Sequence, residues 1–256
     1  MSDTLPLVVT GMHRSGTSLI ASIAQAVGVD IGQELHPADA ANRKGYFEDV
    51  DFLTLDRTAV AACCDRNEPG WPDWGWTASE SFDRRALAQF RDQAATLVEG
   101  RGELPSWGWK DPRTVVLLDF WCELVPEARY IFVYRPPWEV ADSLFRLQHP
   151  AFSSVPDFPF RVWSFYNRQL LDFAQRHPDR SVVLRLDNVL TDPDAAAARI
   201  ADAIGAPAAR VDGLTDREMV GRPDRDGLFA RLCERRAPDA LELLAVLDGV
   251  SSHSAP

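Results

Sequence analysis

The chain lacks most of the features that would assign a protein at a glance. It has four cysteines in 256 residues, and none of them forms a CxxC pair: Cys63 and Cys64 are adjacent, while Cys122 and Cys233 stand alone. Neither a zinc site nor a disulfide framework is expected, and reduced thiols in a cytoplasmic protein are. No apolar run approaches the length of about eighteen residues that a membrane span requires. The opening MSDTLPLVV has no basic segment, and its apolar run is too short for a secretion signal. Cations are outnumbered, 27 Lys and Arg against 38 Asp and Glu, for a net charge of −11. That argues against nucleic acid or a heparin-like polyanion as a partner, although arginines can still be concentrated around one anion. No repeat and no linker divides the chain. A single domain is expected over residues 1–250, with 251–256 as a disordered tail.

What is present is an alternation of strands and helices. Leu5 to Thr10 reads as a short buried strand, Gly11 to Gly16 as a loop and Thr17 to Val27 as a helix that Gly28 can stop. Further strands are expected at Ser106 to Lys110, Tyr130 to Tyr134 and Ser181 to Leu186. Helices are expected at Tyr46 to Ala62, Phe82 to Glu99, Thr114 to Val125, Trp138 to Leu147 and Arg161 to Arg176. Another runs from the cap Asp192-Pro193 to Ile204, closed by Gly205, and two short ones follow near 225–235 and 238–248. Asn67 to Thr77 and His149 to Pro159 read as loops. Such alternation implies an α/β fold whose central parallel sheet is flanked by helices.

The first strand, loop and helix form LVVTGMHRSGTSLIASIAQAV, Leu7 to Val27. This arrangement aims backbone N–H groups and a helix N-terminus at a phosphate. Gly11 and Gly16 have the spacing of a nucleotide P-loop, but Gly16 runs directly into Thr17, so the Walker lysine is missing. The cation sits inside the loop instead, at Arg14, where a guanidinium can bind an anionic oxygen at two points. A second signal is YIFVYRPPWEVADS, Tyr130 to Ser143. A buried strand delivers Arg135 at its C-terminal end, where open α/β sheets bind ligands, and Ser143 follows eight residues later on the next helix.

Together these segments resemble the sulfotransferases that use 3′-phosphoadenosine-5′-phosphosulfate (PAPS), in particular the bacterial branch with its three-layer P-loop-type fold. GMHRSGTS looks like the family's 5′-phosphosulfate loop, with Arg where many members have Lys. RPPWEVADS looks like its 3′-phosphate motif. WKDPR, Trp109 to Arg113, and the stretch Leu184 to Gly205 are similar to two further family elements. The resemblance spans roughly residues 5–205. The family's C-terminal glycine-rich 3′-phosphate loop has no clear copy, and Arg217, Arg222 and Arg225 are candidate substitutes.

The resemblance implies a role for each matched position. The loop amides with His13, Arg14, Ser15, Gly16, Thr17 and Ser18 would hold the 5′-phosphate. Arg135 and Ser143 would hold the 3′-phosphate. Arg14 would stabilise the leaving phosphate, and Lys110 would neutralise the sulfonate in the transition state. No metal is required, because these cations do what magnesium does in kinases. The reaction would be in-line transfer of a sulfonate from PAPS to a hydroxyl, leaving adenosine 3′,5′-bisphosphate.

The acceptor hydroxyl needs a general base. Candidates are Glu48, Glu34 and His36. Glu48 lies in a segment, Asn42 to Glu48, that looks like N-x-x-G-x-x-E in bacterial members, and Glu34 stands twenty residues after Arg14; Glu48 is preferred and both are kept. Trp71, Trp74, Trp76, Phe152 and Phe158 mark the acceptor side, expected to take a small aromatic or lipid-like alcohol or phenol. Rival readings are a P-loop kinase of nucleotides or small molecules, disfavoured by the missing lysine, and a nucleotide-binding protein without catalysis.

Overall fold

A computed structural model describes residues 5–253, apart from 40, 41, 43, 66–69, 78–80, 103, 105, 151, 153, 154, 156, 208, 212 and 215–224. Four parallel strands form the central sheet: β1 (Leu7–Thr10), β4 (Gly108–Lys110), β5 (Arg129–Tyr134) and β6 (Ser181–Arg185), in the order β4-β1-β5-β6. β1 pairs on one side with β4 (Val8 opposite Trp109) and on the other with β5 (Val8 opposite Tyr130). The two-residue period of a strand sends its side chains to two different cores. Leu7, Val9, Ile131 and Val133 pack under α1 (Thr17–Ala26) and α8 (Pro193–Ile204). Val8, Tyr130, Phe132 and Tyr134 pack against α2 (Val50–Cys63), α6 (Phe158–Arg176) and α10 (Pro238–His253). Helices on both faces of a parallel sheet give the three layers expected.

The remaining helices are α3 (Arg91–Glu99), α4 (Leu118–Leu124), α5 (Pro137–Phe145), α7 (Leu186–Thr191) and α9 (Leu228–Arg236). Several boundaries differ from the sequence reading. α2 begins at Val50 rather than Tyr46, because the Asp49 carboxylate accepts the N–H groups of Asp51 and Phe52 and so caps the helix there. Asn67 to Thr77 is not all loop: β2 (Gly70–Trp71) and β3 (Trp76–Thr77) form a small antiparallel hairpin around the 3₁₀ turn Pro72–Trp74. The helices expected over 82–99 and 114–125 both open with 3₁₀ segments, Arg84–Phe90 and Pro112–Leu117. The tail expected from residue 251 is helical through His253 within α10, and Ser251 is buried. Residues 254–256 lie outside the described residues. No helix among the described residues is long and apolar enough to cross a membrane.

Candidate active site

The carboxyl ends of all four strands open into one cavity of about 1030 Å³. Such a volume is at the upper end of small-molecule sites. Among the described residues its lining holds seven cations, Arg14, Lys44, Arg57, Lys110, Arg113, Arg135 and Arg146, against one carboxylate, Glu48. In a chain of net charge −11 that concentration marks an anion site.

One end of the cavity is the loop between β1 and α1. Gly11, at φ 153°, lies so close to β5 that a Cβ there would stand 2.1 Å from the Val133 carbonyl oxygen. Gly16, at φ 96°, turns the chain into α1, and its absent side chain leaves room for Leu186. α1 has no side-chain cap and no acidic residue in its first turn. The Leu19 N–H goes to the Gly16 carbonyl at 3.0 Å, which leaves the Thr17 and Ser18 N–H groups without a side-chain cap, and Gly16, Thr17 and Ser18 line the cavity. Arg14 adopts φ 65°, and its Nε donates to Ser143 Oγ at 3.0 Å. Arg135 Nε pairs with Glu139 Oε2 at 2.6 Å, one turn along α5. Burial lowers Arg14 below its ordinary value; the Tyr46 phenol opposes this, and the neighbouring Arg135 and Arg146 add to it. Cations crowded in this way are relieved by a bound anion.

The other end centres on Lys110, the last residue of β4. Its Nζ donates to Glu48 Oε1 at 2.6 Å and to the Tyr46 carbonyl oxygen at 3.0 Å. Both members of the ion pair are almost fully buried, yet both line the cavity. Phe47, at φ 58°, lets the Tyr46 carbonyl and the Glu48 side chain converge on one ammonium. Strained backbone of this kind persists only where the surroundings over-determine it. The non-glycine residues with positive φ among those described are Arg14, Phe47 and Gln148, and the first two line the cavity. Behind Lys110, Asp111 Oδ1 accepts from the Arg113 backbone N–H at 2.7 Å and from its Nη1 at 3.0 Å. Burial pushes the Asp111 carboxyl up to about 6; Arg113 works against that rise and Glu48 adds to it. The tie aims Arg113 into the cavity beside Trp74, whose ring centroid is 5.6 Å from the guanidinium carbon.

A sequence profile described as "Sulfotransferase family" matches residues 6–210. The chain belongs to the sulfotransferase family. The matched span takes in both ends of the cavity. A search of curated proteins finds no match. Solved structures agree in fold. A sulfotransferase from Alicyclobacillus acidocaldarius is 17% identical at a TM-score of 0.58, over 95% of this chain and 96% of that one. The sulfotransferase domain of the Synechococcus PCC 7002 olefin synthase is 18% identical at a TM-score of 0.53, over 95% of this chain and 94% of that one. A sulfotransferase domain from the curacin biosynthetic pathway is 15% identical at 0.51, over 89% and 82%.

In this sulfotransferase the residues singled out from the sequence are not all gathered. His13, Arg14, Gly16, Thr17, Ser18, Glu48, Lys110, Arg135 and Ser143 line the cavity. Ser15 does not: its hydroxyl is buried, with no hydrogen-bond partner among the described residues. Glu34 is exposed and outside the lining; its carbonyl accepts the Val50 N–H. His36 lines the cavity and gives its N–H to the Glu48 carbonyl at 2.7 Å. Ser18 Oγ donates to the Tyr46 carbonyl and accepts from Asn42, which ties the loop to the segment bearing Glu48. Arg225 sits over Trp138 at 5.9 Å from the ring centroid; Arg217 and Arg222 lie outside the described residues, as does the side chain of Trp76. Sequence reasoning missed Glu139, although its spacing of four from Arg135 on a helix was a usable signal. Nothing in the sequence announced the Tyr46 carbonyl, because a backbone contact leaves no residue signature.

Proposed function

We propose that this protein transfers a sulfonate from PAPS to the hydroxyl of a small-molecule acceptor, through the cavity described above. The observation that carries the reading is the joining of an uncapped, arginine-bearing phosphate loop to the buried Lys110–Glu48 pair in one cavity. The residues present suit a nucleotide with several anionic groups. Two glycine positions leave no room for a Cβ, the first residues of α1 line the cavity without a side-chain cap, and Arg14, Arg135 and Arg146 gather around them. The donor supplies an activated sulfonate with a phosphate leaving group.

The loop amides, Thr17 and Ser18 hold the 5′-phosphate end. Arg14, steadied by Ser143, faces the oxygen on which charge develops as the sulfur–oxygen bond breaks. Arg135, with Ser143 on the helix it opens, takes the 3′-phosphate. Lys110 offsets the charge of the sulfonate, and its contact with the Tyr46 carbonyl steadies it when its bond to Glu48 is shared. Glu48 accepts the hydroxyl proton; it is buried against the cavity, whereas Glu34 is exposed and outside, which favours Glu48 as base. His36 neighbours Glu48 through its backbone and is assigned no proton transfer. The half-buried Trp71 and Trp74 line the acceptor end, in keeping with an aromatic or lipid-like acceptor, and no metal is assigned a part.

Comparing Glu48→Gln with Glu34→Gln at saturating donor tests the base. Glu48→Gln is expected to lose roughly 10²–10⁴-fold in turnover and Glu34→Gln to stay near normal. An active Glu48→Gln defeats the assignment.

A further inference from the structure

Four aromatic rings form one continuous stack, three of them, His13, Trp71 and Trp74, in the cavity wall. His13 lies on Trp74 with centroids 3.8 Å apart and planes 8° off parallel. Trp74 lies on Trp71 at 4.2 Å and 7°. Trp71 lies on His149 at 3.8 Å and 7°. Two parallel rings this close to the same indole clash if they share a face, so each tryptophan is covered on both faces. The origins of the rings are as telling as their geometry. His13 precedes Arg14 in the phosphate loop. His149 follows α5, the helix whose Ser143 accepts from Arg14. The two middle rings come from the β2–β3 hairpin, which lines the acceptor end. Both ends of the stack therefore belong to donor-side segments, and its middle belongs to the acceptor wall.

The hairpin's own ladder is too short to hold it, and its rings also pack against the core between α2 and α6. Each of its strands is two residues long, far short of what makes a hairpin stable alone. Besides the stack, the Tyr166 hydroxyl of α6 donates to the Trp74 carbonyl, and Arg113 stands beside the Trp74 ring.

We propose that the stack couples the two ends of the site, so that a donor-side ligand which fixes the phosphate loop and the end of α5 also fixes the hairpin wall. This rests on the sulfotransferase reading of the cavity given above. Trp71, Trp74 and His149 are positioning residues. With both indole faces covered, an acceptor meets indole edges and does not slide between the rings. Edges carry the positive part of the ring quadrupole, so they favour the π-face of a phenol or an oxygen lone pair. Coupling between two ligands is reciprocal, so the wall that donor binding orders should in turn strengthen donor binding once an acceptor is seated.

Hydrogen exchange over residues 70–77 tests this on the full chain, with adenosine 3′,5′-bisphosphate as the probe. Saturating bisphosphate is expected to slow exchange there by about fivefold or more, the lower range of typical coupling. His149→Ala and Trp71→Ala should bind the bisphosphate and lose that protection, while Trp71→Phe, which keeps a flat ring, should retain it. Bisphosphate binding by calorimetry with no change over 70–77 overturns the coupling and leaves the donor reading standing. So does protection that survives in both alanine variants. Absence of bisphosphate binding to the unsubstituted chain overturns the donor reading, and the coupling with it. A second measurement needs no ligand. His13→Ala and Trp71→Ala, whose rings both stack on Trp74, should be non-additive in a double-mutant cycle of unfolding; additive losses contradict a continuous stack.

Discussion

In the proposed reaction Arg14 and Lys110 divide the work between leaving group and sulfonate. Arg14 donates to the neutral Ser143 Oγ, whereas Lys110 shares its ammonium between the Tyr46 carbonyl and the Glu48 carboxylate. If Arg14 stabilises the leaving phosphate, Arg14→Ala should lower turnover by roughly 10²–10³-fold, as loss of one oxyanion donor does. Steady-state kinetics with saturating donor read this, and near-normal turnover removes Arg14 from the chemistry. His13 makes a prediction of a different kind. Burial, with Arg113, Lys110 and Arg14 close by, holds its imidazole well below the usual 6.5. The unfolded chain takes up this proton as pH falls through its ordinary value, and the folded chain does not. Stability therefore falls with falling pH, by at most about 1.4 kcal/mol per pH unit from this group. Melting curves taken between about pH 7.5 and about pH 5.5 should show a steeper decline for the unsubstituted protein than for His13→Asn; equal slopes would contradict the buried neutral imidazole.

At the scale of elements, Asp49 decides more than its neighbour Glu48 can. It caps α2, accepts the Gln33 N–H at 2.9 Å and forms a buried ion pair with Arg101. By starting the helix at Val50 it leaves Glu48 outside the helix, where its side chain pairs with Lys110. Asp49→Ala strands the buried Arg101 charge and removes the cap. Chemical denaturation should show a loss of about 3–5 kcal/mol, and a loss below about 1 kcal/mol would mean the segment is held by something else. The same cap explains why the sequence misled at this point. Tyr46 to Ala62 has helical periodicity, and Glu48 read as part of an acidic first turn. Only the competition between the Asp49 side chain and the Tyr46–Glu48 backbone stops the helix short. The four sheet strands were legible, since β-branched and aromatic runs between glycine and proline breakers have few alternatives. The β2–β3 hairpin was not, because its two-residue strands are too short to leave a pattern and are held by rings from His13 and His149, remote in the chain.

Taken as a whole molecule, the chain sets an acidic exterior around a cationic cavity. The phosphate loop and the cation at its centre could be read directly from Gly11, Arg14 and Gly16, and so could Arg135 at a strand end. The pairing of Lys110 with Glu48 could not, because it joins residues 62 positions apart, Lys110 placed by the β1–β4 pairing and the Glu48 segment by the tie from Ser18 to the Tyr46 carbonyl. The placing of Glu34 outside the cavity was equally hidden, since its spacing from Arg14 said nothing of where the intervening loop would turn. In the proposed reaction this cavity takes a 3′-phosphorylated adenosine donor and not ATP. Thermal unfolding with each ligand tests it most directly. Adenosine 3′,5′-bisphosphate at about 100 times its dissociation constant should raise the melting temperature by roughly 5 °C or more, and ATP with magnesium at the same concentration should raise it much less. Equal shifts, or a larger one with ATP, would contradict the claim.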